Sequence, residues 1–416
     1  MLDPNLIRSD AECVRAALAR RGETAALDRW LEADSRRREL LPALEGARAD
    51  QNAASERIGE EKRAGGDAAD AIAAMREVAP RVKAMEAELG EVEVVRDAAM
   101  AALPNLPDPS APGEEQVLRE VGAAGATGAD HLELLGGLVD VEAGARVAGS
   151  RFAYLKGPLV LLELALVRWA LELVGRHGFE PVIPPVLVRE RALFGTGFLP
   201  DTEQQIYRLP EDDLYLAGTS EVALASLHAD EILEADALPL RYAGFSPCFR
   251  REAGAAGRDT RGIFRVHQFD KVEMFSFVEA ATAPAEHERI LAIEEEIMAA
   301  LEIPYRVVAI AVDDLGASAA KKYDVEAWLP GQGAYRELTS CSNTTDFQAR
   351  RLGVRHRGAA GGRPAFVHTL NGTAVAVGRT LIALVENHQQ SDGTVSVPAV
   401  LRELGAPERI TAPVAR

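Results

Sequence analysis

An arginine-containing segment in the second half of the chain holds residue types that could bind a nucleotide. It begins with Phe249-Arg250-Arg251-Glu252, continues through a loop rich in glycine and arginine, and returns through residues 267–273, His-Gln-Phe-Asp-Lys-Val-Glu. A guanidinium at the end of a strand can clamp a phosphate or a carboxylate through two parallel hydrogen bonds. Glu252, two residues further on, faces the same side of an extended strand, and Phe269 offers a flat surface for a base. The residue types fit a nucleotide-binding hairpin, and equally a charged hairpin whose strands are joined by ion pairs.

The common phosphate-binding and metal-binding motifs do not occur in the sequence. There is no Gly-x-x-x-x-Gly-Lys-Ser/Thr loop, no His-Glu-x-x-His and no Cys-x-x-Cys, each of which has a known geometry for phosphate or metal. If phosphate is bound, arginines and a metal ion must therefore hold it. The histidines show no ligand spacing, and we expect His267 to be a structural strand residue instead of a general base.

The stretches around this segment predict short strands in hairpins. Residues 206–209 and 214–217 are apolar and separated by the turn residues Pro-Glu-Asp-Asp, and Phe245–Arg250 with Ile263–Val278 form a second such pair. Strands in hairpins with scattered helices are typical of an antiparallel sheet. The sequence therefore predicts an α+β fold instead of a parallel, doubly wound one.

Two long helical stretches precede this region. In the second, about Asp67 to Leu103, apolar residues recur mostly at three- and four-residue steps, while the first, about Asp28 to Ala64, has a thinner apolar stripe. Gly65-Gly66 is a natural reversal point, so residues 28–103 predict an antiparallel helical hairpin. Periodicity alone leaves open a dimerisation coiled coil, a hairpin folded onto a larger core, or a projecting arm that contacts a partner. The mixed charges of the first helix are typical of a solvated face.

A proline-rich stretch follows the hairpin. Four prolines occur in nine residues from Pro104 to Pro112, and proline both lacks an amide donor and disfavours helix before it. The sequence predicts an N-terminal domain over residues 1–103, a linker over 104–113, and a second domain over 114–416.

The overall composition limits the possible partners. A net charge of −18 argues against indiscriminate nucleic-acid binding, because phosphate neutralisation supplies most of that affinity; a local basic surface can still hold a folded RNA. The longest apolar stretch, Leu159–Val174, contains three charged residues, and no basic-then-apolar signal opens the chain, so we expect no membrane attachment. Three distant cysteines, Cys13, Cys248 and Cys341, fit a reducing compartment, and we expect a cytoplasmic protein.

Several stretches resemble the motifs of class II aminoacyl-tRNA synthetases and, in their full wording, those of the seryl-tRNA synthetase family. They occur in the order that this family has them: residues 178–185 (motif 1), 217–222 (a Thr-x-Glu element), 249–273 (motif 2), 337–351 (a nucleotide and metal segment) and 371–380 (motif 3). The resemblance covers nearly the whole chain, including the helical hairpin. It implies an antiparallel catalytic domain of the class II type flanked by helices, with the hairpin as a coiled-coil arm of a tRNA-binding N-terminal domain.

The resemblance also implies a role for particular residues. The catalytic residues would be Arg250, Glu273 and Arg379. L-serine would bind to Thr219, Glu221, Arg250, Glu273 and Thr373. ATP would bind to Arg250, Glu252, Phe269, Glu337, Leu338, Thr339, Ser340 and Arg379, with Mg²⁺ on Glu337 and Ser340. An unusual branch of the family holds zinc through cysteines and a glutamate, but Cys248 and Cys341 alone do not make such a site, so zinc is not expected.

The activity implied by the resemblance is that of an ATP-dependent serine–tRNA ligase. It would activate L-serine to seryl-adenylate with release of pyrophosphate, then transfer the seryl group to the 3′ end of serine tRNA, and of selenocysteine tRNA where present. The arm would lie along the variable arm of the tRNA, and the motif 1 match implies a homodimer. The alternatives are a seryl-adenylate-forming paralogue that serves a carrier protein or a biosynthetic pathway, and an inactive RNA-binding homologue. Carrier-protein relatives generally lack the long arm, and an inactive homologue would have lost ATP-binding residues that this sequence keeps.

Overall fold

The structure is a computed structural model that describes residues 1–200, 205–253, 259, 261–358 and 362–412. Contacts between residues divide the chain into two units, Leu2–Pro104 and Asn105–Arg416. Among the described residues, no helix combines the length and the apolar character needed to cross a membrane.

The N-terminal unit is helical. Its helices are α1 (Pro4–Ser9), α2 (Ala11–Ala19), α3 (Ala25–Arg63) and α4 (Ala69–Ala102). Helix α3 has 39 residues and is therefore roughly 60 Å long. Reversal of the chain between α3 and α4 uses left-handed backbone at Gly65 and Ala68, with φ of +84° and +56°. Glycine adopts this conformation at little cost, whereas alanine does so at some cost.

Helices α3 and α4 form the predicted antiparallel hairpin. Leu44 and Ala47 of α3 pack with Val78 and Val82 of α4. Ion pairs flank this apolar contact: Arg37 Nε lies 2.8 Å from Glu93 Oε1, and Arg48 Nη2 lies 2.7 Å from Glu86 Oε1. Some of the arginine side chains of α3 therefore form ion pairs with α4.

The second unit combines helices with strands. The helices are α5 (His131–Leu135), α6 (Val141–Ala148), α7 (Pro158–Arg176), α8 (Glu190–Thr196), α9 (Glu221–Ala225), α10 (Ala283–Ala300), α11 (Phe347–Leu352), α12 (Val377–Asn387) and α13 (Ala399–Arg402). The strands are β1 (Gln116–Val121), β2 (Val139–Asp140), β3 (Tyr154–Leu155), β4 (Glu180–Val182), β5 (Leu187–Val188), β6 (Tyr207–Leu209), β7 (Leu214–Leu216), β8 (Ile232–Glu234), β9 (Leu240–Phe249), β10 (Gln268–Val278), β11 (Tyr305–Ala309), β12 (Lys321–Leu329), β13 (Ala334–Asn343), β14 (Arg355–Arg357), β15 (Ala365–Phe366), β16 (His368–Ala376), β17 (Val395–Ser396) and β18 (Arg409–Ile410).

The largest sheet in the described part of the chain has eight strands in the order β1-β11-β12-β13-β16-β10-β9-β4. Neighbouring strands are antiparallel except β4, which runs parallel to β9. The predicted α+β fold with an antiparallel sheet is therefore confirmed. The predicted pair of β6 and β7 also forms, but β10 begins at Gln268 and not at Ile263, because residues 263–267 form the end of the loop that precedes it.

One face of the sheet packs against helices, and the other faces the candidate active site. Apolar side chains of α7, α10 and α12 join those of the sheet in the main hydrophobic core. At Gly372 of β16 a Cβ atom would lie 2.3 Å from Ile290 Cγ2 of α10, so this position faces the helix. Because side chains alternate along a strand, the adjacent residues Asn371 and Thr373 face the opposite side, where the candidate active site lies.

Candidate active site

All the predicted site residues line one cavity of about 440 Å³. The strands β10, β13 and β16 form its floor, and the segment after β9 and the first residues of α9 and α12 form its walls. The residues concerned are Thr219, Glu221, Arg250, Glu252, Phe269, Glu273, Glu337, Leu338, Thr339, Ser340, Thr373 and Arg379. Residues 254–258 and 260 of the motif 2 loop lie outside the described residues.

Strand register assembles one end of the cavity from buried polar groups. Glu273 of β10 lies directly opposite Thr373 of β16, and the Thr373 hydroxyl donates to Glu273 Oε2 over 3.2 Å. Both side chains are buried. A buried carboxylate beside a hydroxyl is an arrangement that can bind a small hydroxyl-bearing substrate.

Lys271 joins this cluster and was missed by the sequence analysis. Its ammonium is buried, donates to Thr219 Oγ1 over 2.7 Å, and forms an ion pair with Glu273 Oε2. The signal was present in the sequence, since Phe269, Lys271 and Glu273 alternate along β10 and so share one face of the strand. A lysine between two predicted site residues on that face must enter the same cavity.

Glu221 lies at the start of α9, next to this cluster. Its Oε1 accepts hydrogen bonds from Gln348 Nε2 over 2.8 Å and from Asn371 Nδ2 over 3.0 Å. Burial and the nearby charge of Glu273 raise the pKa of Glu221 to about 7, while Gln348 and Lys271 oppose the shift in part. This end of the cavity therefore holds two carboxyl groups beside the Lys271 ammonium, a charge balance that favours a cationic ligand.

Arg250 follows the end of β9 and is fixed by its backbone and its side chain. Its N–H donates to His267 O over 3.0 Å, and its Nε donates to Gly218 O over 3.1 Å. The guanidinium lies 5.3 Å from the centre of the Phe269 ring. This contact orients a delocalised cation within the cavity.

Glu252 is one of the residues that the resemblance predicts to bind ATP. In the structure its Oε2 accepts from Arg265 Nη1 over 2.7 Å, a partner that the sequence analysis did not identify. The Arg265 side chain also lies 3.9 Å from Asp259 and lines the cavity. The carboxylate is therefore oriented by a second arginine before any nucleotide binds.

Arg379 and Arg336 form a second basic region of the site, beside the ring of Phe264. Arg379 Nη1 donates to Glu337 O over 2.9 Å and lies 3.3 Å from Glu337 Oε2, and the Arg379 guanidinium lies 4.8 Å from the centre of the Phe264 ring. Phe264, which the sequence analysis also missed, lies between Arg379 and Arg336, whose guanidinium is 4.2 Å from the same ring. Cation–π contacts on the ring thus hold Arg379 in one orientation.

A bulge in β13 places the predicted metal ligands on one face. Glu326 pairs with Glu337, but Val325 pairs with Thr339, so Leu338 is the extra residue. An extra residue reverses the alternation of side chains beyond it, which puts Glu337 and Ser340 on the cavity side although they are three residues apart. The Leu338 side chain is buried in the main core, so this residue lines the cavity with its backbone.

The donor set at this position suits Mg²⁺. Enclosure raises the pKa of Glu337, but Arg379, Lys322 and Arg250 more than offset that effect and lower it overall, so the carboxyl is ionised. A carboxylate with a nearby serine hydroxyl supplies the oxygen ligands that Mg²⁺ prefers, and phosphates usually complete its coordination. In the described part of the chain no group of three or more His, Cys, Asp or Glu side chains is arranged around a metal position.

Comparison with known proteins agrees with the fold. Residues 205–388 match the family model described as the tRNA synthetase class II core domain (G, H, P, S and T), and residues 1–107 match the seryl-tRNA synthetase N-terminal domain. A serine–tRNA ligase from Streptomyces coelicolor is 49% identical, with 100% of each chain covered. One from Acidothermus cellulolyticus is 52% identical, with 97% of each chain covered.

A solved structure gives the same result. The crystal structure of seryl-tRNA synthetase from Pyrococcus horikoshii complexed with ATP is 41% identical, covers 100% of both chains and superposes with a TM-score of 0.90. The chain belongs to the seryl-tRNA synthetase family.

The raised pKa of Glu221 predicts that serine binding depends on pH. A carboxyl group with a pKa of about 7 is charged above that pH and neutral below it, so it attracts an ammonium group fully only above pH 7. We expect the dissociation constant for serine to be constant above about pH 7.5 and to rise up to about tenfold per unit below about pH 6.5. Titration calorimetry at several pH values measures this.

The matched control is Glu221→Gln, which keeps the shape of the side chain and removes its charge. We expect this variant to bind serine more weakly than wild type above about pH 7, with little dependence on pH, and the difference to shrink below about pH 6, where Glu221 is itself neutral. A wild-type dissociation constant that stays the same from about pH 5.5 to about pH 8 would contradict the electrostatic role of Glu221.

Proposed function

We propose a division of the cavity into a serine end and an ATP end, with Arg250 between them. As a member of the seryl-tRNA synthetase family the chain is an ATP-dependent serine–tRNA ligase. The assignment of residues to the two ends rests mainly on one observation, which is that the predicted site residues line a single cavity. The names of the relatives reported above give no support to a carrier-protein substrate or to an inactive homologue.

The serine end consists of Thr219, Glu221, Lys271, Glu273 and Thr373. Glu221 and Thr219 receive the substrate ammonium, and Glu273 with Thr373 receives its hydroxyl. The buried position of these groups supports this assignment, because polar groups that lose water must find partners in the ligand. Alanine offers no hydroxyl, and the extra methyl of threonine meets the walls of the pocket.

The ATP end consists of the arginines and the residues around them. Glu252 accepts from the adenine amino group, Phe269 stacks on the ring, and Arg379 covers its other face and reaches toward the γ-phosphate. Leu338 and Thr339 line the cavity, and we assign them to the ATP site. Glu337 and Ser340 would hold Mg²⁺, which would supply positive charge to neutralise the phosphates.

Adenylate formation needs no covalent nucleophile from the protein. A serine carboxylate oxygen attacks the α-phosphorus, the bond to the bridging oxygen of the β-phosphate breaks, and pyrophosphate leaves. Arg250 lies between the two anions that must approach each other and offsets their repulsion. A ribose hydroxyl at the 3′ end of tRNA then attacks the seryl carbonyl, and AMP leaves.

We assign tRNA recognition to residues 1–103, catalysis to residues 114–416 and the link between them to residues 104–113. The match of residues 1–107 to the seryl-tRNA synthetase N-terminal domain supports the first assignment. The hairpin of α3 and α4 suits recognition by shape and backbone, because a long rigid arm can lie along an RNA helix without reading bases. We place this reaction in the cytoplasm, in keeping with free thiols at Cys13, Cys248 and Cys341.

The homodimer is proposed from the surface of the motif 1 region. Helix α7 exposes Leu161 and Leu164, at 52% and 59%, and Ile183 after β4 is 84% exposed. Large apolar side chains with this exposure on one helix and the adjoining strand are typical of an interface that a second copy covers.

Arg250→Ala tests the central electrostatic role. We expect serine-dependent ATP–pyrophosphate exchange to fall by at least about 10²-fold, because a cation that acts on the developing charge is removed, while the far-UV circular dichroism and melting temperature stay close to wild type. Arg251→Ala is the matched control, since Arg251 is exposed and is not part of the cavity wall. Near-normal exchange by Arg250→Ala would refute the assignment.

A shortened arm separates activation from transfer. Asp50 and Arg81 lie opposite each other in the hairpin, so residues 52–80 can be replaced by a short glycine turn that leaves the proximal helices paired. We expect charging of serine tRNA to fall by about 10²-fold or more, while pyrophosphate exchange changes less than about threefold. If the shortened protein charges tRNA at the normal rate, the distal arm does not bind tRNA.

Sedimentation of Leu164→Glu tests the dimer. A buried charge at an apolar interface is costly, so we expect the wild-type protein to sediment as a dimer and the variant to dissociate at concentrations at least about tenfold higher. Leu227→Glu is the control, because Leu227 is similarly exposed but does not belong to α7 or β4. A wild-type protein that sediments as a monomer would contradict the proposal.

A further inference from the structure

A buried histidine–glutamate pair lies behind the ATP end of the cavity. His131 begins α5, and its Nδ1 lies 3.2 Å from Glu386 Oε1 of α12; its backbone N–H donates to the same oxygen over 3.1 Å. The second carboxylate oxygen of Glu386 accepts from the Gly331 N–H over 2.9 Å. The Glu386 side chain has no exposed surface, so the pair is part of the interior and not of the cavity wall.

The other ring nitrogen of His131 reaches the end of the motif 2 loop. Its Nε2 accepts a hydrogen bond from the Ile263 N–H over 3.4 Å. Because Nε2 accepts, the proton of a neutral imidazole must be on Nδ1, where it is donated to Glu386. Glu386 therefore determines both the orientation of the ring and the tautomer that can accept from Ile263.

This approach requires glycine at position 262. The Gly262 backbone has a φ of +78°, and a Cβ atom there would lie 2.1 Å from His131 Nε2. The chain thus turns close to Nε2 of the imidazole just before it enters the cavity wall at Ile263 and Phe264.

The residue after Ile263 connects this network to the nucleotide site. Phe264 is buried and carries the Arg379 guanidinium 4.8 Å from its ring centre. The backbone of Ile263 also passes close to α12, since a Cβ atom on Gly378 would lie 3.6 Å from Ile263 O. A shift of the backbone at 262–263 would therefore move the surface on which Arg379 rests.

We propose that His131, oriented by Glu386, is a positioning residue of the ATP site that holds the backbone of Gly262–Ile263 and, through Phe264, the guanidinium of Arg379. It touches neither substrate. The inference rests on the proposed assignment of Arg379 to ATP, and it extends that assignment to residues from two elements outside the cavity.

Two substitutions of His131 separate its two hydrogen bonds. In His131→Asn the amide can still donate to Glu386, as Nδ1 does, but nothing replaces Nε2 as the acceptor for Ile263. In His131→Gln the longer side chain can accept from Ile263 but loses the donor to Glu386. His388→Asn is the control, because His388 is a partly buried histidine that contacts the Leu301 carbonyl and not the motif 2 segment.

The measurement is the KM for ATP against the KM for serine in pyrophosphate exchange. We expect His131→Asn to raise the KM for ATP about tenfold, because it leaves the buried Ile263 N–H without an acceptor. We expect His131→Gln to raise it only about threefold, because the bond from Ile263 is kept in weakened form. The KM for serine should change less than about twofold in both, and both constants less than about twofold in His388→Asn.

A merely structural histidine would give a different pattern. Equal rises in both KM values, an equal effect of Asn and Gln on the KM for ATP, or no effect of either would overturn the proposal. If His131→Asn does not fold, the ratio of the two KM changes in His131→Gln decides the question in the same way. Arg379→Ala is measured in parallel. If it leaves the KM for ATP unchanged, the assignment of Arg379 to ATP is wrong. If it raises the KM for ATP while neither His131 variant does, the assignment of Arg379 stands and the role of His131 is rejected.

Discussion

The buried charges at one end of the cavity must find partners, and this requirement constrains the surrounding structure and the ligand. Glu221 and Glu273 lie beside the Lys271 ammonium in a region largely closed to water, and buried charges are costly unless partners satisfy them. Burial, and then the nearby charge of Glu273, raise the pKa of Glu221. A ligand that carries an ammonium group would stabilise the charged form of Glu221, so these groups favour a cationic ligand.

The sheet keeps these groups at fixed positions. The pairing of Glu273 with Thr373 across β10 and β16 brings a hydroxyl to a carboxylate without any contribution from a loop, and Lys271 reaches the same place because it lies two residues from Glu273. The proposed ATP end is built differently. Arg250 and Arg379 each follow the end of a strand, and their guanidinium groups contact the rings of Phe269 and Phe264. The rigid polar end suits a small substrate that is selected by hydrogen bonds. The basic end, supported by aromatic rings, suits a larger substrate that is held by its phosphates.

The sequence predicted the elements better than the contacts between them. Strand hairpins and the helical arm follow from local periodicity, and the predicted site residues do line one cavity. Residue types alone left Arg250 and Glu252 divided between a nucleotide clamp and an ion-paired hairpin; the resemblance favoured the clamp, and the structure shows that Glu252 also has an ion pair, with Arg265. Other features depend on tertiary structure. The bulge at Leu338 is defined by β12, and His131 reaches Glu386 across 255 residues, so neither has a local signal.

Selection of the substrate by its hydroxyl is tested most directly by amino-acid-dependent ATP–pyrophosphate exchange. Serine, alanine, threonine and cysteine are compared by kcat/KM with the same preparation. A pocket built around Glu273 and Thr373 predicts that alanine is activated at least about 10³-fold less efficiently than serine, since it leaves those groups without a partner. Activation of alanine within about tenfold of serine would show that Glu273 and Thr373 do not select the substrate by its hydroxyl.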